Sequence, residues 1–334
     1  MIMRKSLFYF FVIVIVGCTN EKPKIGFMLP NLNSKRYIIE RDEFISKVKE
    51  NGGEVQFANA DNDENEQIKQ FNDIINSGVK VVVLDPVNRF TAAEMVRKAH
   101  DNKIKIISYD RLIVGCSPDA FISFDSKNIG RQLAEYCLGK KQSGEYVIFN
   151  GDKSDINAIW LHDGVFEVLQ PKISNGSIKV VFDIYIENWN ELEAAFVMNK
   201  FLKYNITPPD VVISASDNMS RGCINALLKN AIDPKKIIIT GQNAEPFACR
   251  TILRGNQSVS IYKPVKKMAS LAVDIAIKMY RNQPVDDILK IKVNNGVVDI
   301  PSLFLDAILV DSTNIKTVLM SDGIITEEDL KENL

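Results

Sequence analysis

The amino-acid sequence predicts an α/β fold built as two doubly wound parallel-sheet lobes joined by a multi-strand hinge. Three observations carry this expectation. From Lys24 onward, strand-like apolar runs alternate with amphipathic helical stretches. Runs such as Val81-Val82-Val83-Leu84 and Ile237-Ile238-Ile239 are apolar without interruption, the mark of strands covered on both faces. The alternation breaks once and then resumes, and 334 residues exceed what a single core ordinarily supports.

The elements follow in order. KIGFML, EVQFANA, KVVVLDP and KIKIISYD open the series, with the helical pattern Ala92 to Asp101 before the fourth strand. Such βαβ alternation gives parallel sheets with right-handed crossovers. Near FISFDSKNIG, Phe121 to Gly130, a short extra strand follows a loop, and a second series begins: EYVIFNG, KVVFDIYI, DVVISASD, KIIITGQN and SVSIYKP. The chain is expected to cross between lobes there and to return through Gln257 to Lys263 into the helical stretch Met268 to Arg281. It crosses once more through Pro301 to Asp311 to a short helical tail. The expected division is an N-terminal lobe of residues 24–127 plus 260–300 and a C-terminal lobe of 128–259 plus 301–334. Several crossings form a hinge, and a ligand then sits between the lobes at the carboxyl ends of strands.

The N-terminus reads differently. Arg4 and Lys5 precede an apolar run from Leu7 to Val16, too short to span a bilayer and suited to a secretory signal. Ile15-Val16-Gly17-Cys18 has the order of a bacterial lipobox, so residues 1–17 are expected to be a lipoprotein signal peptide, Cys18 the lipidated residue and 18–23 a tether. The expected location is exported, anchored by lipid to the outer face of a membrane or periplasmic.

Composition excludes several classes. With 41 basic and 42 acidic residues the formal net charge is −1, and no basic run proposes a nucleic-acid partner. Cys116, Cys137, Cys223 and Cys249 are widely spaced, and no disulfide is expected. His100 and His162 lie in helical patterns, and no HExxH, CxxC or His pair proposes a metal. Phosphate-cradling glycine loops and a GxSxG elbow are missing, so neither a cofactor nor an enzyme is expected. Asp61-Asn62-Asp63-Glu64-Asn65 begins like a calcium loop, but Glu66 replaces the required Gly, which leaves a solvated turn and cap.

Polar residues gather where strands finish: Asp110-Arg111, Asn150-Gly151-Asp152, Ser216-Asp217, Gln242-Asn243 and Lys263. Asp155 and Asp217 also suit helix N-caps. Asp110-Arg111 is open to two readings, an ion pair at a loop edge or two hydrogen-bonding forks in a cleft. The set suits a small neutral polyol, whose hydroxyls both donate and accept. Ring faces to cover apolar C–H groups could come from Tyr37, beside Arg36, and from Trp189. Each is equally placed as an ordinary core or surface aromatic.

From Lys24 to about Gly323 the chain resembles the type I periplasmic sugar-binding proteins. The resemblance rests on KIGF (24–27), SGVKVVVLDPVNR (77–89), SYDR (108–111), ISFD (122–125), ITGQ (239–242), YKP (262–264) and NNGVVDIPS (294–302). YDR, YKP and the Pro301 segment resemble the xylose-binding branch in particular. The resemblance implies a periplasmic-binding-protein-like fold and sugar contacts from Arg36, Tyr37, Asp110, Arg111, Asp155, Asn157, Trp189, Ser216, Asn243 and Lys263. Tyr37 stands where the family has Trp, Ser216 where it has Asn, and Asn243 where it has Asp. Losing a charge-assisted bond at Asn243 matters by roughly 1.5–3 kcal/mol. The implied partners are a monosaccharide, D-xylose first, and an ABC permease that receives it. The alternative is a sensing subunit that docks on the extracellular domain of a histidine kinase.

Overall fold

A computed structural model describes residues 22–205, 207–321 and 323–331. The signal segment 1–17 and Cys18 lie outside the described residues. The first lobe is a seven-stranded sheet that contains β1 (Lys24–Leu29), β2 (Glu54–Asn59), β3 (Val81–Leu84), β4 (Lys105–Tyr109) and β5 (Ala120–Phe124). The second lobe holds β6 (Gly144–Asn150), β7 (Ile178–Tyr185), β8 (Val211–Ser214) and β9 (Ile238–Ile239) in the order β7-β6-β8-β9, all parallel. β10 (Val259–Tyr262) pairs antiparallel with β13 (Ile308–Asp311), and the hairpin β11 (Ile291–Asn294) and β12 (Asp299–Leu305) completes the first sheet in the order β11-β12-β5-β4-β3-β1-β2.

The continuous apolar runs became the central strands. Every residue of β3 and β5 is buried, because helices cover both faces of the first sheet. In the first lobe these are α1 (Lys35–Glu50), α2 (Glu64–Asn76), α3 (Ala92–Asp101) and, further along the chain, α9 (Val265–Tyr280). The second sheet is wrapped by α4 (Ser126–Lys140), α5 (Ile156–Ser174), α6 (Glu191–Tyr204), α7 (Asp217–Lys229) and α8 (Pro246–Leu253), with α10 (Ile315–Ser321) and α11 (Glu327–Lys331) as the tail. Asp63, Asp125, Asp155, Asn190 and Ser216 each accept a backbone N–H of the following turn, which fixes where five of these helices begin. Helices α4 and α5 meet backbone to backbone at Gly130 and Gly164, where an added Cβ would stand 2.0 Å and 1.9 Å from the opposing carbonyl oxygens.

Three segments cross between the lobes: β5 to α4 through Asp125, β10 to α9 through Lys263 and Pro264, and β12 to β13 through Asp306 and Ala307. Two of the expected boundaries move. Ile261 N–H donates to Gly241 O at 3.2 Å and Ile261 O accepts from Asn243 N–H at 2.7 Å, so 260–262 belong with the second lobe rather than the first. Ser302 to Leu305 pair in parallel with Phe121 to Phe124, so this segment closes the first sheet before the chain crosses. Cys116, Cys137, Cys223 and Cys249 are free and buried.

Candidate functional site

The carboxyl ends of strands from both sheets face one cleft. At the end of β4, Asp110 takes a left-handed backbone (φ 57°), a conformation Asp tolerates better than most residues. The turn sends Asp110 and Arg111 to different partners. Asp110 Oδ2 accepts from Arg36 Nη2 at 3.0 Å. Arg111 Nη1 donates to Pro86 O at 3.0 Å, and its Nε stands 3.2 Å from Asp155 Oδ2 and 3.7 Å from Asp85 Oδ1. The loop-edge ion pair is therefore not what the two residues form.

Arg36, in the first turn of α1, is itself held. Glu40 Oε1 accepts from its Nε at 3.0 Å, and the guanidinium lies 4.7 Å from the centre of the Tyr37 ring. Lys263 enters from the crossing after β10, with Nζ 5.6 Å from the centre of the Phe124 ring. Burial pushes the Asp110 carboxyl up, but Arg36, Lys263 and Arg111 outweigh it and hold the group below the ordinary range. Burial leads the larger shifts elsewhere: with Arg36 it pushes Lys263 down to about 8, against the pull of Asp110, and with Asp110 it raises Asp85 well up, against Arg111. Around the cavity itself Arg36, Arg111 and Lys263 stand against Asp110, Asp152 and Asp155. That leaves no cationic surplus for an anionic ligand.

The second lobe contributes differently. Asp155 caps α5 by accepting from Asn157 N–H at 2.9 Å and reaches Arg111 across the cleft. Burial raises its carboxyl against the Arg111 charge. Asn157 Nδ2 donates to Asp110 O at 2.8 Å, a second bond between lobes, while its Oδ1 accepts from Ser126 Oγ at 3.0 Å. Trp189 sits on the backbone of Gly151, where a Cβ would come within 2.3 Å of the indole ring. Ser216 caps α7 through Met219 N–H, so Asp217 is not the cap. Asp217 turns into the lobe instead and accepts from Glu245 N–H, Gln257 Nε2 and Ser260 Oγ. Burial pushes its carboxyl up to about 7.

Arg36, Tyr37, Asp110, Arg111, Asp155, Asn157, Trp189, Ser216, Asn243 and Lys263 all line one cavity of about 180 Å³. That is below the roughly 300–1,000 Å³ of pockets for drug-sized ligands, which points to a small occupant. Asn31, Asn62, Ser126, Asp152, Asn218 and Gln242 share the lining. Asn31 and Asn62, joined by a 2.8 Å hydrogen bond, follow the ends of β1 and β2. The strand-end rule applied to β1 and β2 finds both; Asn62 is passed over when the Asp61–Asn65 stretch reads as a solvated turn, and Asn31 when the rule is not carried to β1. Asp110 Oδ1, Gln242 Oε1 and Asn243 Oδ1 are buried acceptors, and Trp189 Nε1 a buried donor, with no partner in the protein. Each such group costs about 1–3 kcal/mol if left unpaired. Among the described residues no group of His, Cys, Asp or Glu could hold a metal ion.

Two α/β lobes with three crossings, and polar side chains from both facing one cavity, make a ligand clamp. The chain belongs to the periplasmic binding protein family, whose "Periplasmic binding protein domain" matches residues 25–284. It is 32% identical to the D-xylose-binding periplasmic protein of Haemophilus influenzae, over 92% of each chain. It is also 32% identical to the D-xylose-binding periplasmic protein of Escherichia coli, over 94% of each. Among solved structures, an ABC transporter solute-binding protein from Clostridium phytofermentans with bound β-D-glucose superposes with a TM-score of 0.85 at 26% identity. That match covers 92% of this chain and all of the other.

Proposed function

We propose that the protein is an exported solute-binding protein that clamps one neutral monosaccharide, D-xylose first among candidates, and presents it to an ABC importer. Cys18 carries the lipid anchor in this reading. The ten residues named above make the contacts. Arg36, Asp110, Arg111 and Lys263 grip hydroxyls from the first lobe and the hinge. Asp155, Asn157, Ser216 and Asn243 close from the second, and Tyr37 and Trp189 cover the ring. The observation that carries the proposal is the set of buried, unpartnered acceptors, with the Trp189 indole among the unpartnered donors, around a cavity without cationic surplus. Such groups call for an uncharged ligand that donates several hydrogen bonds and accepts others, which is what a pyranose presents. The D-xylose-binding relatives support the choice of sugar.

Closure is the signal. Asn157 to Asp110 O and Arg111 to Asp155 link the lobes directly, so a ligand that bridges the same groups favours the closed state by its differential affinity for it. Calorimetry of the mature protein against a panel of pentoses and hexoses tests the reading. Saturable one-to-one binding led by D-xylose is expected, and no heat with any neutral sugar would refute it.

A further inference from the structure

Glu40 lies one turn beyond Arg36 on α1, fully buried, and it does not line the cavity. A carboxylate placed among the side chains of a core ordinarily has both oxygens satisfied. Here Oε1 accepts from Arg36 Nε at 3.0 Å and stands 2.9 Å from Nη2, whereas Oε2 has no partner. The same Nη2 donates to Asp110 Oδ2 at 3.0 Å, which leaves Asp110 Oδ1 free on the cavity side. Three buried groups thus form a line: Glu40 sets Arg36, and Arg36 sets the carboxylate that meets the ligand.

We propose that Glu40 is a positioning residue that makes sugar affinity depend on pH: ionised, it fixes Arg36 and through it Asp110, and protonated, it lets that guanidinium go. The inference rests on the monosaccharide reading above. Burial, opposed by the Arg36 charge, pushes the Glu40 carboxyl up to about 7, so it titrates close to neutral pH. The groups facing it are Arg36 on its own helix, Tyr109 and Asp110 from β4, Asp85 after β3 and Lys263 from the crossing strand. Burial and the Glu40 charge hold the Tyr109 phenol well above its ordinary range, so it stays neutral. Asp110 is held low and stays ionised. Asp85 stands beside Arg111, which anchors a different part of the cleft. Lys263, at about 8, changes charge at the alkaline end of the range. A substitution at Glu40 therefore isolates its own step.

The test is calorimetric titration of the full chain with D-xylose from pH 5.5 to 8, for the parent, Glu40→Gln and Glu40→Asp. The parent is expected to bind about five- to tenfold more tightly above pH 7.5 than at pH 6, the lower range of coupling between linked sites. Glu40→Gln, which keeps the shape but not the charge, is expected to bind at the parent's low-pH affinity throughout, with the slope below pH 7.5 gone. Glu40→Asp is expected to restore a slope. A merely structural role would lower Tm in Glu40→Gln and leave the slope of Kd as in the parent. That result, or a parent without a slope, would overturn the inference while leaving the sugar reading intact. A parent that binds no neutral sugar at any pH would overturn both.

Discussion

On the first-lobe side of the cleft, Arg36, Glu40, Asp85 and Asp110 are buried and cross-linked by charge, and Arg111 is nearly so. The second-lobe side presents Asn157, Trp189, Ser216, Gln242 and Asn243, all uncharged, with Asp155 and Asp152 as its carboxylates. The contrast assigns the two halves different tasks. Ion pairs in a low-dielectric setting fix geometry firmly, so on the proposed monosaccharide reading the first lobe would serve as the platform that sets where hydroxyls are gripped. Amides, a hydroxyl and an indole are gentler and more varied. On the same reading they would arrive by lobe closure and set which sugar is retained.

If the first lobe is the platform, breaking it should cost most. Arg111→Ala removes a planar fork and leaves Asp85 and Asp155 without their cation, so D-xylose affinity is expected to fall by 100-fold or more, about 3 kcal/mol, by calorimetry. Gly151→Ala attacks the other half, since its Cβ would collide with the Trp189 ring. Affinity is expected to drop about tenfold, with loss of the sugar-dependent change in Trp189 fluorescence, while Arg111 and its partners stay in place. Equal losses from the two variants would dissolve the contrast between the lobes.

The titrating groups sharpen the same comparison. Lys263 faces the platform with its ammonium pushed down to about 8 by burial, so sugar affinity is expected to decline as pH rises past 8. Lys263→Met should bind weakly and without that decline. Asp217 belongs to the second lobe and faces away from the cleft. With a folded pKa of about 7, raised above its unfolded value, it keeps a proton on folding between about 4 and 7. Its contribution to stability is therefore full at low pH and lost as pH climbs to 7. Thermal melts of Asp217→Asn should show a shallower fall of Tm across that window, with sugar affinity little changed. The smallest effect is expected at Ser216→Asn, which lengthens a second-lobe contact yet still caps α7. A gain in D-xylose affinity of about two- to fivefold, without a change in Tm, would fit one added neutral hydrogen bond.

The α/β alternation, the two lobes and the gathering of polar groups at strand ends were legible because each is a local pattern: an apolar run, a period, a residue after a strand. Asp110, Arg111, Ser216, Asn243 and Lys263 were legible as strand-end residues, whereas Arg36 and Asn157 entered as contacts only through resemblance, since no local signal separates Arg36 from its neighbours in KRYIIERDEF. Glu40 was invisible for the same reason. It stands in a charged stretch that reads as a solvated helix face, and only the packing of α1 shows that it points inward. Asp85 precedes Pro86 and reads as a turn residue, although it is fully buried. The boundaries at 259/260 and 300/301 slipped because strand pairing is long-range. Pro301 suggests a break, but it pairs with Lys292 of the hairpin, and contact with β5 begins only at Ser302, so its missing N–H interrupts nothing there.

A crystal structure of the mature protein grown with saturating D-xylose tests the central claim most directly. The account predicts one pyranose between the lobes, with its hydroxyls on Asp110 Oδ1, Asn243 Oδ1 and Arg111 and its ring against Trp189. Density for the sugar elsewhere, or a cleft holding some other class of molecule under those conditions, would contradict it.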